Sequence, residues 1–206
     1  MVSDLGVFTG ASCLLFWEGR IVLEVRKTHK WEQRPDGVHV IGIGGIGGTM
    51  EEGESPLETL QREAVEEIGC PVELWSASST IVESPAEVRV VTGLDVDGLC
   101  PAMVWEVTDP TYQVGAKVVV YLAQATRDPQ PGDLPAILLA DPAWITTMSS
   151  EFVSTREAVN AGVEVRSRVD MPENGLFQPV NTLRRLLAVR ASHCEVFKQL
   201  MQGPPA

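Results

Sequence analysis

Hydrophobic and polar positions alternate along several short segments of this chain, a pattern typical of β-strands. The apolar runs "ASCLLFW" and "RIVLEV" flank Glu18 and Gly19, which predicts a hairpin. "VHVIGIG" predicts another strand, which ends in glycines. Further strands are predicted in the segments "VELWSASSTIV", "VRVVTGL", "AMVWEV" and "KVVVYLAQA", and polar loops in "THKWEQRPDG" and "RDPQPGDLP".

A different period begins at Ser55. In "SPLETLQREAVEEIG" the apolar residues recur at spacings of three and four, which predicts a helix with one buried face. Ser55 is a suitable N-cap, Pro56 suits the first helical turn, and Glu58 completes a capping box. Gly69 predicts the C-terminal end of this helix.

Two more helices are predicted later in the chain, one over residues 149–161 and a longer one over about 181–202. A hairpin, a strand and a helix followed by several strands and then helices predict an α/β fold with a mixed sheet. No internal repeat or linker divides the chain. We therefore predict a single domain over residues 1–206, with its core at about 8–160 and a C-terminal helical extension at about 179–202.

Charge and cysteine usage narrow the classes of function. The 206 residues contain 16 Lys and Arg against 28 Asp and Glu, a formal net charge of −12, which disfavours binding to nucleic acid. The four cysteines are scattered and form no C-x-x-C motif, so we expect reduced packing residues. Asp4 stands where a secretory signal would carry positive charge, and no apolar run is long enough for a membrane span. A cytoplasmic protein is predicted.

The stretch "VIGIGGIGGTMEEGES", residues 40–55, packs five glycines into seven positions. Gly42, Gly44 and Gly47 satisfy the spacing G-x-G-x-x-G, which marks a dinucleotide site where a strand runs through the glycines directly into a helix. Here the predicted helix begins near Pro56, nine residues after the last of these glycines, and an acidic loop intervenes. This disfavours a dinucleotide-dependent oxidoreductase.

Four charged residues crowd two turns of the predicted helix: Arg62, Glu63, Glu66 and Glu67. Residues three or four apart are neighbours on a helix surface, so the three carboxylates share one patch and repel one another. One arginine cannot neutralise three acids. A solvated acidic face is the ordinary interpretation. A divalent cation such as Mg²⁺, which binds carboxylates and substrate phosphates together, is the alternative.

The wider segment "GTMEEGESPLETLQREAVEEIGC" favours the cation, because it resembles the signature of the Nudix hydrolases. That signature is Gly, five residues, Glu, seven residues, Arg-Glu, an aliphatic residue, any residue, Glu-Glu, any residue, Gly and an aliphatic residue. All seven positions that demand one residue type match. The signature positions are Gly48, Glu54, Arg62, Glu63, Ala64, Glu66, Glu67, Gly69 and Cys70, of which Ala64 and Cys70 are smaller than the usual aliphatic residues.

The resemblance implies an α/β/α sandwich that uses Mg²⁺ or Mn²⁺ to hydrolyse a nucleoside diphosphate linked to another moiety. It implies that Glu66 and Glu67 are metal ligands, and that Glu63 is either a ligand or the base that activates water. The carbonyl of Gly48 would be a further ligand.

Two more residues have supporting roles by the same resemblance. Arg62 would orient the glutamates, and Glu54 would act as an outer ligand through water. Relatives of this family that only sense a nucleotide or bind a partner usually lack one or more of the glutamates. All are present here. An enzyme is therefore favoured over a non-catalytic binding module.

The substrate and the assembly are less constrained by the sequence. Pro85 follows Gly69 by sixteen residues, a spacing found in relatives that act on ADP-ribose, which weakly favours a nucleotide sugar. A homodimer is expected by resemblance, with no nucleic-acid or membrane partner. The tryptophans Trp31, Trp75, Trp105 and Trp144 are interpreted as core or interface residues, with a base-stacking platform as the alternative.

Overall fold

The computed structural model describes residues 6–204, so Asp4 and the last two residues of the C-terminal "GPPA" lie outside it. Within that range the strands are β1 Phe8–Trp17, β2 Arg20–Val25, β3 Glu32–Gln33, β4 His39–Gly44, β5 Ile46–Thr49, β6 Val72–Trp75, β7 Thr80–Glu83, β8 Val88–Val91, β9 Met103–Glu106, β10 Lys117–Ala125, β11 Ala136–Ala140, β12 Val153–Ser154, β13 Glu164–Ser167 and β14 Gly175–Pro179. The α-helices are α1 Pro56–Ile68, α2 Pro142–Thr147, α3 Thr155–Asn160, α4 Asn181–Val189 and α5 Cys194–Leu200, and a 3-10 turn covers Thr28–Lys30.

The strands form one mixed sheet. Its main path runs in the order β12-β14-β4-β2-β1-β10-β9-β7-β8. β1 runs parallel to β10, β14 to β4, and β7 to β9, whereas the other neighbours on this path are antiparallel. The mixed sheet of the predicted α/β fold is confirmed.

Helices cover both faces of the sheet, because the central strands bury side chains on both sides. On β1, Cys13 and Leu15 belong to the core beneath α1, and the alternate residues Leu14 and Phe16 belong to the opposite core. The opposite core also includes buried residues of the other four helices, namely Ile145, Ala158, Leu183, Leu186, Leu187, Val189, Phe197 and Leu200. The arrangement is the predicted α/β/α sandwich.

Helix α1 begins and ends where the sequence predicts. The Ser55 side chain accepts a hydrogen bond from the Glu58 amide, and the Glu58 carboxylate accepts one from the Ser55 amide. Gly69 follows the helix in the left-handed conformation at φ 72°. These caps satisfy backbone groups that a helix leaves open at its ends.

Six strands were not predicted, namely β3, β5, β11, β12, β13 and β14, and one predicted strand is two strands in the structure. Among the six, β11 reads "AILLA", a short apolar run that periodicity cannot assign, and β14 contains both a glycine and a proline. The segment "VELWSASSTIV" forms β6 and β7, which pair with different strands, β10 and β9. The serines between them leave the sheet.

The predicted C-terminal helices also differ from the structure. Of the helix predicted over residues 149–161, only α3 is helical in the structure. Ser154 caps α3 at its N-terminus, and it also belongs to the two-residue strand β12. The long C-terminal helix is two helices, α4 and α5, separated by a turn at residues 190–193. Within residues 6–204 no helix is long and apolar enough to cross a membrane.

Candidate functional site

A cavity of about 910 Å³ lies beside α1 and β5. Gly48, Glu63 and Glu67 from the predicted signature line one part of its wall. Residues from β7, β9 and α4 line another part, including Glu83, Trp105 and Arg185. The cavity therefore joins residues that lie far apart in the sequence.

Two glycines on β5 allow close approaches that a side chain would block, Gly47 to β1 and Gly48 to Glu63 of α1. Gly47 and Gly48 lie on β5, opposite Ser12 and Ala11 of β1. Gly47 has φ 138°, and a Cβ atom there would lie 2.2 Å from the Ala11 carbonyl oxygen. A Cβ atom on Gly48 would lie 2.2 Å from the Glu63 Oε1 atom. The carboxylate of Glu63 thus occupies the space that a side chain at position 48 would need.

Arg62 gathers the acidic residues of the signature. Its Nε and Nη2 atoms donate to the two carboxylate oxygens of Glu54 at 2.7 and 3.0 Å. Its Nη1 atom donates to Glu63 at 2.9 Å and, at a longer 3.4 Å, to Glu66. The Thr49 carbonyl accepts a further bond at 3.1 Å. The guanidinium therefore ties the acidic loop, the glycine strand and the helix glutamates together.

Glu54 completes this network. Its carboxylate also accepts hydrogen bonds from the Glu51 amide at 2.9 Å and the Thr59 hydroxyl at 2.8 Å. These donors, led by Arg62, lower the pKa of Glu54 to about 2. Glu54 is thus held ionised over the whole neutral range and fixed in one position.

Glu67 is the buried carboxylate of the site. Its side chain lies in the wall of the cavity, the residue is only 6% exposed, and its Oε2 atom accepts a hydrogen bond from the Gly47 amide at 2.9 Å. Burial, followed by the negative charge of Glu24, raises the pKa of Glu67 to about 9. Burial also raises the pKa of Glu63. Both shifts report negative charge that water does not solvate.

Two further acids approach these glutamates, and the sequence analysis missed both. Glu24 lies on β2 and lines the same cavity, and burial raises its pKa to about 7. Asp133 forms an ion pair with Lys27 at 2.6 Å, and its charge raises the pKa of Glu67 and of Glu63. Glu24 had a sequence signal, a single acid inside the apolar run "RIVLEV", whereas Asp133 stands in an ordinary polar loop.

The loop that carries Asp133 is attached to the end of α1. The Gly132 and Asp133 amides donate to the carbonyls of Glu67 and Glu66, each at 2.8 Å. The Gln130 amide donates to the next carbonyl, 3.1 Å away. Helix carbonyls that would otherwise lack partners thus fix this loop beside the glutamates.

The predicted site residues fall into two groups. Gly48, Glu63 and Glu67 line the cavity. Arg62 and Glu54 are not part of its lining but hold Glu63 through hydrogen bonds. Glu66 lies outside the lining as well, with its side chain 50% exposed.

No group of three or more His, Cys, Asp and Glu side chains within residues 6–204 is close enough together to hold a metal ion. The glutamates of α1 are turned towards other partners, Glu63 towards Arg62 and Glu67 towards the Gly47 amide. The donor chemistry nevertheless fits a hard divalent cation, because the surrounding groups are carboxylate and carbonyl oxygens. Burial, followed for Glu67 by the charge of Glu24, raises the pKa values of Glu24, Glu63 and Glu67, and such an ion would favour their ionised forms.

The other residues singled out from the sequence lie elsewhere. Trp31, Trp75 and Trp144 are partly buried against the core, and Trp105 is buried with 8% exposure. Each tryptophan packs as the core interpretation expects, although Trp105 also lines the cavity. Pro85 lies between β7 and β8 and is not part of the cavity lining.

Comparisons with solved structures find similar chains at low identity. The ADP-ribose pyrophosphatase from Streptococcus suis is 16% identical with a TM-score of 0.36, covering 65% of this chain and 73% of that one. The Escherichia coli ORF135 protein is 14% identical with a TM-score of 0.40, covering 91% and 94%. A NUDIX-family hydrolase from Clostridium perfringens is 16% identical with a TM-score of 0.40, covering 76% and 93%. These likenesses say nothing about the substrate.

The sequence comparisons are decisive for the family. No curated protein matches the chain. The family model described as NUDIX domain matches residues 8–137, which is more than half of the 206 residues and includes the whole signature from Gly48 to Cys70. The chain therefore belongs to the Nudix family of pyrophosphohydrolases.

Proposed function

We propose that this protein hydrolyses a phosphoanhydride bond in a nucleoside diphosphate linked to another moiety, and that it requires Mg²⁺ or Mn²⁺. The observation that supports this most is the convergence of Glu63 and Glu67 on the glycine strand in the wall of one cavity. Buried carboxylates that lack a cationic partner are costly, and a divalent cation bound with a diphosphate removes that cost.

The ligands proposed for the cation are Glu66, Glu67, Glu63 and the carbonyl of Gly48. When bound, the ion would neutralise charge on the diphosphate and make a coordinated water more acidic. Glu66 must turn from its long contact with Arg62 to take part, which its 50% exposed side chain permits. Glu63 and Glu67 already lie in the cavity wall.

Protein groups supply the remaining functions in this proposal. Arg62 holds the Glu63 carboxylate in place, where it either binds the ion or accepts a proton from the attacking water. Glu54 fixes Arg62 through its paired contact and acts on the ion only through water. A general base must lie within hydrogen-bonding reach of the water, and the proposed candidates are Glu63 and Glu67, which line the cavity.

The substrate is proposed as ADP-ribose or another nucleotide sugar. Support for this class is confined to the spacing from Gly69 to Pro85. A cytoplasmic location and a homodimer also stay predictions. The alternative function is a non-catalytic Nudix module that senses a nucleotide or binds a partner.

The proposal is tested with Glu63→Gln and Glu67→Gln. Turnover of a panel of nucleoside triphosphates, nucleotide sugars, dinucleotides and CoA is measured with and without Mg²⁺ or Mn²⁺. We expect each variant to lose about 100-fold to 10,000-fold in kcat, as for loss of a general base or a key electrostatic group. Glu73→Gln, on the exposed side of β6, is the matched control.

Two results would contradict this function. Full metal-dependent turnover by both folded variants would remove the two glutamates from the reaction. Binding of a nucleotide from the panel without turnover under any metal condition would instead favour the sensing module. Product identification by mass spectrometry fixes the bond that is cleaved and therefore the substrate class.

A further inference from the structure

Helix α4 brings Arg185 to the cavity. The guanidinium carbon of Arg185 lies 4.4 Å from the ring centroid of Trp105, and its Nη1 atom donates to the Oε1 atom of Glu83. Glu83 and Trp105 are direct partners across the parallel strands β7 and β9. The three side chains form one group, which we call the Arg185 clamp.

The clamp leaves two buried polar atoms without a partner. Neither the Oε2 atom of Glu83 nor the Nε1 atom of Trp105 has a hydrogen bond, and in the described part of the chain these are the only buried side-chain nitrogen and oxygen atoms in that condition. They belong to neighbouring residues of the sheet, yet they do not bond to each other. Buried polar groups are nearly always satisfied, so such a pair calls for an explanation.

Stability does not explain the clamp, because unmet buried polar atoms weaken a fold. Its position does, since Glu83, Trp105 and Arg185 line the same cavity as Glu63 and Glu67. A ligand held by its phosphates at the glutamates would extend along this cavity. The clamp would then meet the part of the ligand that is not hydrolysed.

We propose that the Arg185 clamp is the nucleobase subsite of this enzyme, an inference that rests on the proposed function. The guanidinium of Arg185 is planar and lies over an indole ring, 4.4 Å from its centroid, and its side chain is 22% exposed. Bases stack on arginine planes as they do on aromatic rings. The base would stack on the exposed part of the Arg185 side chain, with Trp105 on the other side of the guanidinium.

A phosphate is the less suitable occupant of the clamp. The charge of Arg185 is already paired with the Glu83 carboxylate and shared with the Trp105 ring. A second negative group beside that carboxylate would be repelled. The neighbouring Arg184, which lines the same cavity, has no ion pair within residues 6–204 and is the better phosphate contact. The clamp recognises the base as a class, because every nucleobase has a planar face that can stack on the guanidinium.

The test is equilibrium binding by calorimetry to the full-length protein. The probes are AMP, GMP, CMP and UMP, each compared with ribose 5-phosphate, which has the same phosphate and sugar but no base. We expect at least one nucleotide to bind about tenfold more tightly than ribose 5-phosphate, as for one stacked base. Arg185→Lys keeps the charge but loses the plane, so it should reduce that preference to about twofold.

Arg190→Lys, at the C-terminal end of α4 and outside the cavity lining, is the matched control and should keep the base preference. The proposal is overturned if all five probes bind equally or undetectably, or if Arg185→Lys keeps the preference. It is also overturned if that variant weakens all five probes by the same factor, because Arg185 would then be a phosphate contact. If Arg185→Lys does not fold, Trp105→Phe replaces it and should likewise reduce the preference.

The binding test is independent of turnover. A base preference that depends on Arg185, together with an absence of metal-dependent hydrolysis, would contradict the proposed reaction and leave the subsite intact. Metal-dependent hydrolysis without a base preference would contradict the nucleobase subsite and leave the proposed reaction intact. The two proposals therefore fail separately.

Discussion

Two arginines organise carboxylates beside the same cavity, and they do so differently. Arg62 on α1 donates hydrogen bonds to three glutamates and a backbone carbonyl. Arg185 on α4 donates to a single carboxylate, that of Glu83, and covers the ring of Trp105. Within residues 6–204, only the second cluster contains buried side-chain polar atoms without a partner.

The difference separates two demands on an enzyme site. A satisfied network fixes its side chains before a ligand arrives, which chemistry requires because reacting groups must be held closely. A cluster with unmet donors and acceptors retains capacity for a ligand. We therefore interpret the Arg62 network as preorganised for the reaction and the Arg185 clamp as open for recognition.

Among the changes that test this contrast, breaking the satisfied network with Arg62→Lys should have the largest effect. Lysine keeps the charge but cannot make the paired contact with Glu54 and reach Glu63 at the same time. We expect kcat/KM to fall about 100-fold, the upper range for groups that orient metal ligands. Steady-state kinetics on the best substrate of the panel measures this.

The control is Arg127→Lys. Arg127 donates to the Gly69 carbonyl at the far end of the same helix, at 2.8 Å, and is exposed. Its substitution should leave kcat/KM within about twofold of the original enzyme. If Arg62→Lys has no larger effect than this control, Arg62 does not organise the site.

The next effect concerns Glu67, the buried carboxylate near the Arg62 network. Burial and Glu24 raise the pKa of Glu67 from 4.5 to about 9, so between these values the folded protein keeps a proton that the unfolded chain releases. Raising the pH therefore favours unfolding across that window. Glu24, with its pKa raised to about 7, adds to this loss of stability in the lower part of the pH window.

We expect the free energy of unfolding of the metal-free protein to fall by about 1.4 kcal/mol per pH unit for this proton between roughly pH 5 and pH 9. Urea denaturation in the presence of a chelator measures it. Glu67→Gln cannot ionise and should flatten the slope, and saturating Mg²⁺ should flatten it by stabilising the ionised form. An unchanged slope in Glu67→Gln would show that another group titrates.

Gly48→Ala tests the close approach between α1 and the strand. The new methyl group would lie 2.2 Å from Glu63 Oε1, and that flexible carboxylate must move. We expect kcat to fall about tenfold for such a misplacement, with a change in stability below about 1 kcal/mol. The double variant with Glu63→Asp separates the causes, because a shorter acid makes room for the methyl group. Strictly additive effects would show that the two residues do not compete for space.

The two clusters also differ in how far the sequence predicts them. The Arg62 network joins residues 49–66, which one capped helix and its preceding loop bring together, so local spacing is sufficient to find it. The Arg185 clamp joins Glu83, Trp105 and Arg185 across three elements and 102 residues. No local pattern relates them, and only the pairing of β7 with β9 and the position of α4 create the site.

The same distinction between local patterns and contacts of distant elements explains which parts of the fold were predicted. Helix α1 was predicted with both its ends, since its caps and apolar stripe lie within one segment. β14 was missed because its pairing with β4 is parallel and its partner is more than a hundred residues away. Glu24 was missed for a related reason: an acid on a strand gains meaning only from Glu67, which a different element supplies.

The smallest effect is expected from Thr59→Val, which removes one donor from the satisfied network. The Thr59 hydroxyl is buried and donates to Glu54 at 2.8 Å, and valine has nearly the same shape. The loss of this bond should reduce the free energy of unfolding by about 1 kcal/mol and kcat by a few-fold, because Arg62 and the Glu51 amide still hold Glu54. Thermal denaturation and kinetics measure both quantities. If kcat/KM falls as far as it does in Arg62→Lys, the remaining hydrogen bonds cannot hold Glu54 in place. The Arg62 network would then differ from the Arg185 clamp only in its number of hydrogen bonds.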